Sequence, residues 1–253
     1  MLEGKLALIA GVANRRSIAW AIAEELHAHG VKLAFTYQGE RIEKSVRELA
    51  ASIGSETVVE MDVRDDAAMD RAFEQVAAGL GGLDFLVHSI AFAQAHDLQQ
   101  RFVDTQRDDF WLALDVSCYS LTAMARRAEP LMAARGGGSI VTMTYLGGER
   151  AVPKYNVMGV AKAALDASMR YLASDLGPSN IRVNAISAGP VRTLSARSIP
   201  GFTTMEEIVV ERAPLKRNIG ANDVAKAAAY LLDAENVTGT IAYVDAGYHA
   251  MGM

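Results

Sequence analysis

Apolar residues in this chain fall into two alternating patterns. Unbroken runs rich in Val and Ile occur at 6–10, 33–37, 57–61, 85–90, 140–144, 181–186 and 241–244. Short runs of this kind, without polar alternation, read as strands buried on both faces. Between them the apolar positions take a helical period. Ile18, Ile22 and Leu26 repeat at i, i+4, i+8 before Gly30, a helix stop, and Val224, Ala228, Leu231 and Leu232 do likewise after Asn222-Asp223. Seven buried strands alternating with helix-length segments predict an α/β fold: a doubly wound, seven-stranded parallel sheet covered by helices on both faces. No linker, low-complexity tract or internal repeat interrupts the pattern, so residues 1–253 read as one domain in preference to two small ones.

Composition narrows the function classes. With 25 basic against 30 acidic side chains, a net charge of −5 and no long Lys/Arg run, the chain cannot neutralise many phosphates, which disfavours nucleic acid as a partner. At 51% hydrophobic and 22% charged residues it is too apolar for disorder and leaves room for oligomer contacts. The longest stretch without a formal charge, 136–148, is short of the roughly 18 residues that suggest a membrane span. The opening Met-Leu-Glu-Gly-Lys reads as neither a signal nor a transit peptide. Cys118 is the sole cysteine and the five His are scattered, so neither a disulfide framework nor a metal site is expected. The expectation is a soluble cytoplasmic protein with no membrane partner.

In a doubly wound sheet, ligands lie beyond the carboxyl ends of the strands, and the chemistry is sought there. The first strand runs into Gly11-Val-Ala-Asn-Arg-Arg-Ser17-Ile18, a strand-turn-helix whose open helix N-terminus suits a pyrophosphate. Only Gly11 of the G-x-G-x-x-G pattern is present, and the Ser17 hydroxyl is placed to bond either backbone or phosphate. After the next strands come Gln38, uncharged and suited to a ribose hydroxyl, and Asp62-Val63, where Asp62 reads equally as an adenine contact or a helix cap before Asp65-Asp66. Ser89-Ile90-Ala91 offers small side chains that permit close approach of a ligand, and Tyr145 follows the fifth strand. A dinucleotide is the ligand on which these strand ends agree.

Tyr155 and Lys162 stand seven apart, and at about 100° per residue this returns to within roughly 20° of one direction, on one helix face. A Lys beside a phenol favours its ionised form and equips the Tyr to give a proton or hydrogen bond below its ordinary pKa of about 10. The plain alternative is a packing tyrosine and a surface lysine on an Ala-rich helix.

The set Gly11-x5-Ser17-Ile18-Ala19, Phe35-Thr-Tyr-Gln38, His88-Ser-Ile-Ala-Phe-Ala93, Tyr145-x9-Tyr155-x6-Lys162 and Ser187-Ala-Gly-Pro-Val-Arg-Thr193 closely resembles the enoyl-acyl-carrier-protein reductases of bacterial fatty-acid synthesis, a divergent branch of the short-chain dehydrogenases. The likeness covers residues 6–247. Most of that superfamily has Lys four residues after the Tyr; here position 159 is Gly and the Lys stands at 162, the mark of the enoyl-reductase branch. The catalytic Ser of the carbonyl-reducing branch is replaced by Thr142, inside a predicted strand, and Tyr145 resembles the second functional hydroxyl.

The resemblance implies a Rossmann-type sheet and hydride transfer from NADH, with NADPH the lesser alternative, to the β-carbon of a trans-2-enoyl thioester. This is the last reductive step of fatty-acid elongation. It implies acyl carrier protein as the partner and a homotetramer as the assembly. By resemblance Tyr145, Tyr155 and Lys162 are catalytic. Gly11, Ser17, Ile18, Gln38, Asp62, Val63, Ser89, Ile90, Lys162, Val191, Arg192, Thr193, Leu194 and Ser195 hold the cofactor. Ala93, Tyr145, Tyr155, Met158, Phe202 and Met205 line the substrate site. Residues 195–212, with Pro200-Gly201 and the apolar Ile199, Phe202, Met205, Ile208 and Val209, are expected to close over the acyl chain, a surface helix with one buried face being the alternative. Arg192, Arg197, Arg212, Lys216 and Arg217 are expected to attract an acidic carrier. Two competitors remain: a carbonyl reductase, opposed by the Tyr-to-Lys spacing, and a non-catalytic dinucleotide sensor, which has no need of both Tyr155 and Lys162 on one face.

Overall fold

All seven apolar runs form strands: β1 (Leu6–Ala10), β2 (Lys32–Tyr37), β3 (Thr57–Glu60), β4 (Phe85–His88), β5 (Gly138–Thr144), β6 (Ile181–Ala188) and β7 (Ile241–Val244). The computed structural model describes residues 2–194, 196 and 201–252. The strands join one parallel sheet in the order β3-β2-β1-β4-β5-β6-β7, the Rossmann-type arrangement. Five strands differ from the apolar runs by one or two residues at one end: β2 begins at Lys32, β3 ends at Glu60, β4 ends at His88, β5 begins at Gly138 and β6 ends at Ala188. The run 85–90 stops as a strand at His88, and after one last bond from Ser89 N to Ala10 O (3.0 Å) Ser89 and Ile90 leave the ladder for the ligand side. The run 181–186 continues to Ala188, because Ser187 and Ala188 still pair with Tyr243 and Val244 of β7.

The helices are α1 (Ile18–Ala28), α2 (Glu40–Ser52), α3 (Asp66–Leu80), α4 (Arg107–Leu114), α5 (Ser120–Ala133), α6 (Asn156–Leu176), α7 (Phe202–Arg212) and α8 (Ala221–Asp233). Successive strand residues point to opposite faces, so each strand feeds two cores. Ala7 and Ile9 pack with Trp20, Ile22 and Leu26 of α1, Val46 and Leu49 of α2, and Val224 and Leu231 of α8. Leu8 and Ala10 face the other way, onto Met69 and Phe73 of α3, Leu121 and Met124 of α5, and Leu165 and Met169 of α6. Burial on both faces is why these strands read as continuous hydrophobic runs. Between α4 and α5 the chain takes one π-helical stretch, Asp115–Tyr119, against α6. The strand order reverses between β1 and β4, which opens a crevice at their carboxyl ends.

Candidate active site

At that crevice β1 and β4 converge so closely that a Cβ on Gly11, which has φ 105°, would lie 2.0 Å from the Ser89 carbonyl oxygen. Glycine alone fits. The adjoining cleft brings together Gly11, Gln38, Asp62, Val63, Ser89 and Ile90 from the expected set, and adds Arg41, Met61, Arg64 and Val116. Asp62 is no helix cap. That role belongs to Asp65, whose carboxylate accepts from Ala67 N and Ala68 N at 2.9 and 3.1 Å. Asp62 accepts instead from Gln38 Nε2 at 3.1 Å and from Arg64 Nη2 at 2.6 Å, and the Arg64 bonds bring its pKa down to about 2. It is an anion on the cleft wall. Arg64 escaped the sequence reading, although a cation two residues beyond an acid at a strand end was a usable signal.

Ser17 is the N-cap residue of α1, but its hydroxyl makes no cap bond to the helix. Its Oγ accepts from Ala13 N (3.0 Å) and Asn14 N (3.2 Å), which folds the turn and leaves the hydroxyl proton free to donate. Ile18 is partly buried against the first core. Val191 is buried in that core too, while Thr193 Oγ1 accepts from Ala196 N at 3.0 Å and Leu194 lines a depression shared with Asn14, Arg15 and Arg16. The segment 191–194 thus meets the turn after β1 from the other side of the opening. Arg192 pairs with the buried Glu206 through Nε at 2.8 Å. Ser195, Arg197, Ile199 and Pro200 lie outside the described residues.

The carboxyl end of β5 carries Tyr145, and Tyr155 immediately precedes α6. Their rings meet edge to face, 69° apart with centroids at 4.9 Å. Lys162 is buried two turns down α6, 5% exposed, and its Nζ donates to Met143 O at 2.8 Å. Burial sets the electrostatics of all three. It raises the Tyr145 phenol to about 12 and Tyr155 further, and lowers Lys162 to about 8. This corrects the expectation that Lys162 ionises Tyr155: desolvation outweighs it, and after burial the phenol feels the Tyr145 phenol and the Asp166 carboxyl, both of which raise its pKa. Tyr155 therefore keeps its proton. Asp166, one turn beyond Lys162, is buried beside the Thr144 hydroxyl and the Lys162 charge, with burial raising its pKa, and was missed because an acid inside a helical repeat looks like an exposed face.

The glycine at 159 has a physical cause. A Cβ there would lie 2.7 Å from the Gly147 carbonyl oxygen, and one on Gly147 would lie 2.4 Å from the Tyr155 ring. The loop bearing Tyr145 therefore lies directly on α6, and no lysine fits at 159. Thr142 is equally committed. It is fully buried and its Oγ1 lies 2.8 Å from His88 Nδ1, while His88 Nε2 lies 2.8 Å from Ser120 Oγ and Ser120 donates to Val116 O at 2.7 Å. That chain fixes the tautomer: Nε2–H donates to Ser120, and Nδ1 accepts from Thr142. Burial, then the Lys162 charge, lowers His88 to about 3, so it is a neutral tie between strands and helix. The hydroxyl that a carbonyl reductase would use is spent on structure.

Beyond the phenols lies a cavity of about 490 Å³ lined by Tyr145, Val152, Met205, Ile208, Val209 and Arg212 among others. The Tyr145 hydroxyl contacts Met205 Sδ at 3.2 Å, so α7 leans on the phenol pair. On the inner side Ala93, Leu98 and Met158 pack with Tyr155, and Ser117 Oγ lies 3.8 Å from Met158 Sδ. Phe202 is half-buried at the start of α7 and is not part of the cavity lining.

The likeness to known proteins agrees with this geometry. A family model described as enoyl-(acyl carrier protein) reductase matches residues 11–249. A Bacillus cereus protein named enoyl-acyl-carrier-protein reductase (NADH) is 51% identical over 256 residues, spanning 100% of this chain and 99% of its own. A Staphylococcus aureus relative, named as the NADPH form, is 51% identical over 254 residues, 99% of this chain and 98% of its own. The crystal structure of the Anaplasma phagocytophilum reductase in complex with NAD superimposes with a TM-score of 0.95 at 48% identity, covering 100% of this chain and 97% of that one.

Proposed function

The chain belongs to the enoyl-acyl-carrier-protein reductases, and from that membership we propose how its residues divide the reaction among them. It is an NADH-dependent enoyl-acyl-carrier-protein reductase, an oxidoreductase of fatty-acid synthesis that saturates the double bond of a trans-2-enoyl thioester. The observation that carries the division of roles is the edge-to-face pair Tyr145 and Tyr155 above a buried Lys162.

The donor set fits a dinucleotide: a turn closed by Gly11 and Ser17, an anion at Asp62, and a buried ammonium whose bond to Met143 O uses one of its three protons. When bound, NADH supplies the hydride for the β-carbon of the substrate. Gly11, Ser17 and Ile18 would hold the pyrophosphate, Gln38 a ribose hydroxyl, and Asp62 with Val63 the adenine. Ser89, Ile90 and residues 191–195 would flank the nicotinamide end. Lys162 would use its remaining donors on the ribose hydroxyls there. Tyr155 keeps its proton through burial and donates a hydrogen bond to the thioester oxygen, where negative charge gathers as the β-carbon is reduced. Because that bond strengthens as charge develops, it lowers the barrier without merely tightening substrate binding. The enolate then takes a proton from water at its α-carbon, which completes the saturated thioester. Tyr145 orients the thioester, and Ala93, Met158, Phe202 and Met205 border the acyl chain.

The chain is read as one catalytic domain, with residues 195–212 closing over the acyl chain. The contact of α7 with Tyr145 through Met205 supports that closure. A homotetramer is supported by the exposed aromatic side chains of Trp111, Tyr119 and Tyr171 on α4, the π stretch and α6. A cytoplasmic location is supported by the lack, among the described residues, of a helix long and apolar enough to cross a membrane. The deciding assay follows NADH absorbance with a crotonyl thioester and separately with a ketone. NADH is consumed with the thioester; consumption with the ketone alone would make the protein a carbonyl reductase.

A further inference from the structure

The residues on either side of Tyr155 hold left-handed backbone, Lys154 at φ 66° and Asn156 at φ 43°. Side chains other than glycine rarely adopt this conformation, asparagine being the best tolerated, and it persists where surrounding contacts over-determine it. Here they do. Asn156 Nδ2 donates to Asp97 O at 2.7 Å and to Gln100 O at 2.9 Å, and Lys154 Nζ donates to Gln99 O at 2.9 Å. All three acceptors lie in the segment that follows β4, which turns through a first 3-10 helix, Ala95–Leu98, and packs Leu98 against the Tyr155 ring. The segment is itself rigid. The buried Asp97 accepts from Gln100 Nε2 at 2.8 Å, and His96 Nε2 lies 2.9 Å from Asp109 Oδ2 on α4.

We infer that Asn156 is a positioning residue for Tyr155: its carboxamide fastens the 97–100 segment to the strained start of α6, and so fixes the direction of the phenol. The inference rests on the proposed role of Tyr155 as the donor to the thioester oxygen. Tyr155 has no cap bond of its own at the start of α6, and its ring is confined by Leu98, Met158 and the Tyr145 ring. With the carboxamide removed, the Leu98 wall is free to shift. A displacement near 1 Å at a reacting group costs up to about a hundredfold in rate.

Asn156→Gly separates side chain from backbone, because glycine takes the left-handed φ freely and removes only the carboxamide. Its kcat with crotonyl thioester should fall about tenfold while KM for NADH stays unchanged. Asn156→Asp, which sets a carboxylate against two carbonyl oxygens, should fall at least as far, and it carries the same comparison if the glycine variant does not fold. The decisive measurement is the double variant. In a Tyr155→Phe background Asn156→Gly should cost nothing more, because the group through which it acts is gone. A further tenfold loss in that background, or wild-type kcat in Asn156→Gly alone, overturns the inference. Wild-type kcat in Tyr155→Phe alone overturns the role of Tyr155 instead, so the two failures are told apart.

Discussion

The two ends of the sheet bury charge in opposite ways. At the amino end Asp84, 1% exposed, is fully engaged: it accepts from Leu6 N at 2.8 Å and pairs with Arg135 Nε at 3.0 Å and Lys5 Nζ at 3.4 Å. At the carboxyl end Lys162 is buried with one bond to Met143 O, and the buried Asp166 carboxyl has only the Thr144 hydroxyl and the Lys162 charge beside it. Left-handed backbone at Lys154 and Asn156 lies there as well. A buried charge that is satisfied holds a fold together, whereas one left partly unsatisfied is available to a ligand and costs stability until the ligand arrives. One end of the sheet is thus built to be stable and the other to react.

The sharpest test of that division is Tyr155→Phe. It removes one donor aimed at developing charge, so kcat should drop by about 10² to 10³, on the order of 3 kcal/mol. Unfolding free energy and NADH affinity by fluorescence titration should barely move. A parallel loss of NADH affinity would mean that the phenol serves the cofactor.

Opposite signs are expected for two charge removals. Asp84→Asn at the amino end should leave kcat unchanged and lower unfolding free energy by about 2 kcal/mol in urea, since it weakens charge-assisted bonds to a backbone N–H and two cations. At the carboxyl end Lys162→Met should do the reverse at pH 7: it abolishes turnover and weakens NADH binding, yet raises unfolding free energy by roughly 1–2 kcal/mol. The pH dependence follows from the same burial. The folded pKa of Lys162, about 8, lies below the ordinary 10.5, so the unfolded chain binds more protons between those values, and the wild-type protein gains stability from this group as pH rises through that window. Lys162→Met should lose that gain. Turnover should decline above about pH 8 as the ammonium is lost. Destabilisation by Lys162→Met at pH 7 would show that the ammonium is satisfied after all.

Much of the amino-end architecture was legible in sequence, and less of the carboxyl end. Period-two burial on both faces writes each strand as an apolar run, so all seven strands could be read directly, as could the Tyr155 to Lys162 face of α6. Other features depend on distant partners. The tie of His88 to Thr142 and Ser120 spans 54 and 32 residues. No local pattern announces that Thr142 is spent on a histidine. The protonated state of Tyr155 was misread because a neighbouring lysine is visible in a helical repeat, whereas the burial that outweighs it is a property of the packed loop over Gly147 and Gly159. Asn156 carries no local signal, its acceptors lying 56 and 59 residues away.

A smaller effect is expected at the Asp62 wall of the cleft, where the open end carries a charge that is satisfied. Asp62 is held ionised by Arg64 and takes the Gln38 amide nitrogen, which leaves the Gln38 carbonyl to accept from a ribose hydroxyl. A 2′-phosphate finds an acceptor and a nearby anion there, opposed by Arg41 on the same wall. NADH should therefore be favoured over NADPH by about tenfold in kcat/KM. Gln38→Arg should narrow or invert the ratio; equal efficiency with the two cofactors in the wild type would mean that Arg41, not Gln38, decides.

The smallest effect concerns the cations proposed to attract a carrier-borne substrate. Among the five cations expected to attract an acidic carrier, Arg192 is already neutralised by Glu206, and Arg197 lies outside the described residues. Arg212 lines the cavity beyond the phenols, and Lys216 donates to Glu211 O at the end of α7, which leaves Lys216 and Arg217 as rim charges that can be changed without touching the cavity lining. Exposed charges act on encounter more than on the bound state and are screened within about 10 Å at 0.1 M salt. Lys216→Glu with Arg217→Glu should therefore raise KM for carrier-bound crotonyl substrate a few-fold at low salt, with the difference fading as salt is added. KM for the small crotonyl-pantetheine thioester should stay near wild type at every salt concentration, since it carries no charge for the rim to steer. Equal rises for both substrates would make these cations part of the pocket or its support, and would move the carrier to another face of the reacting end.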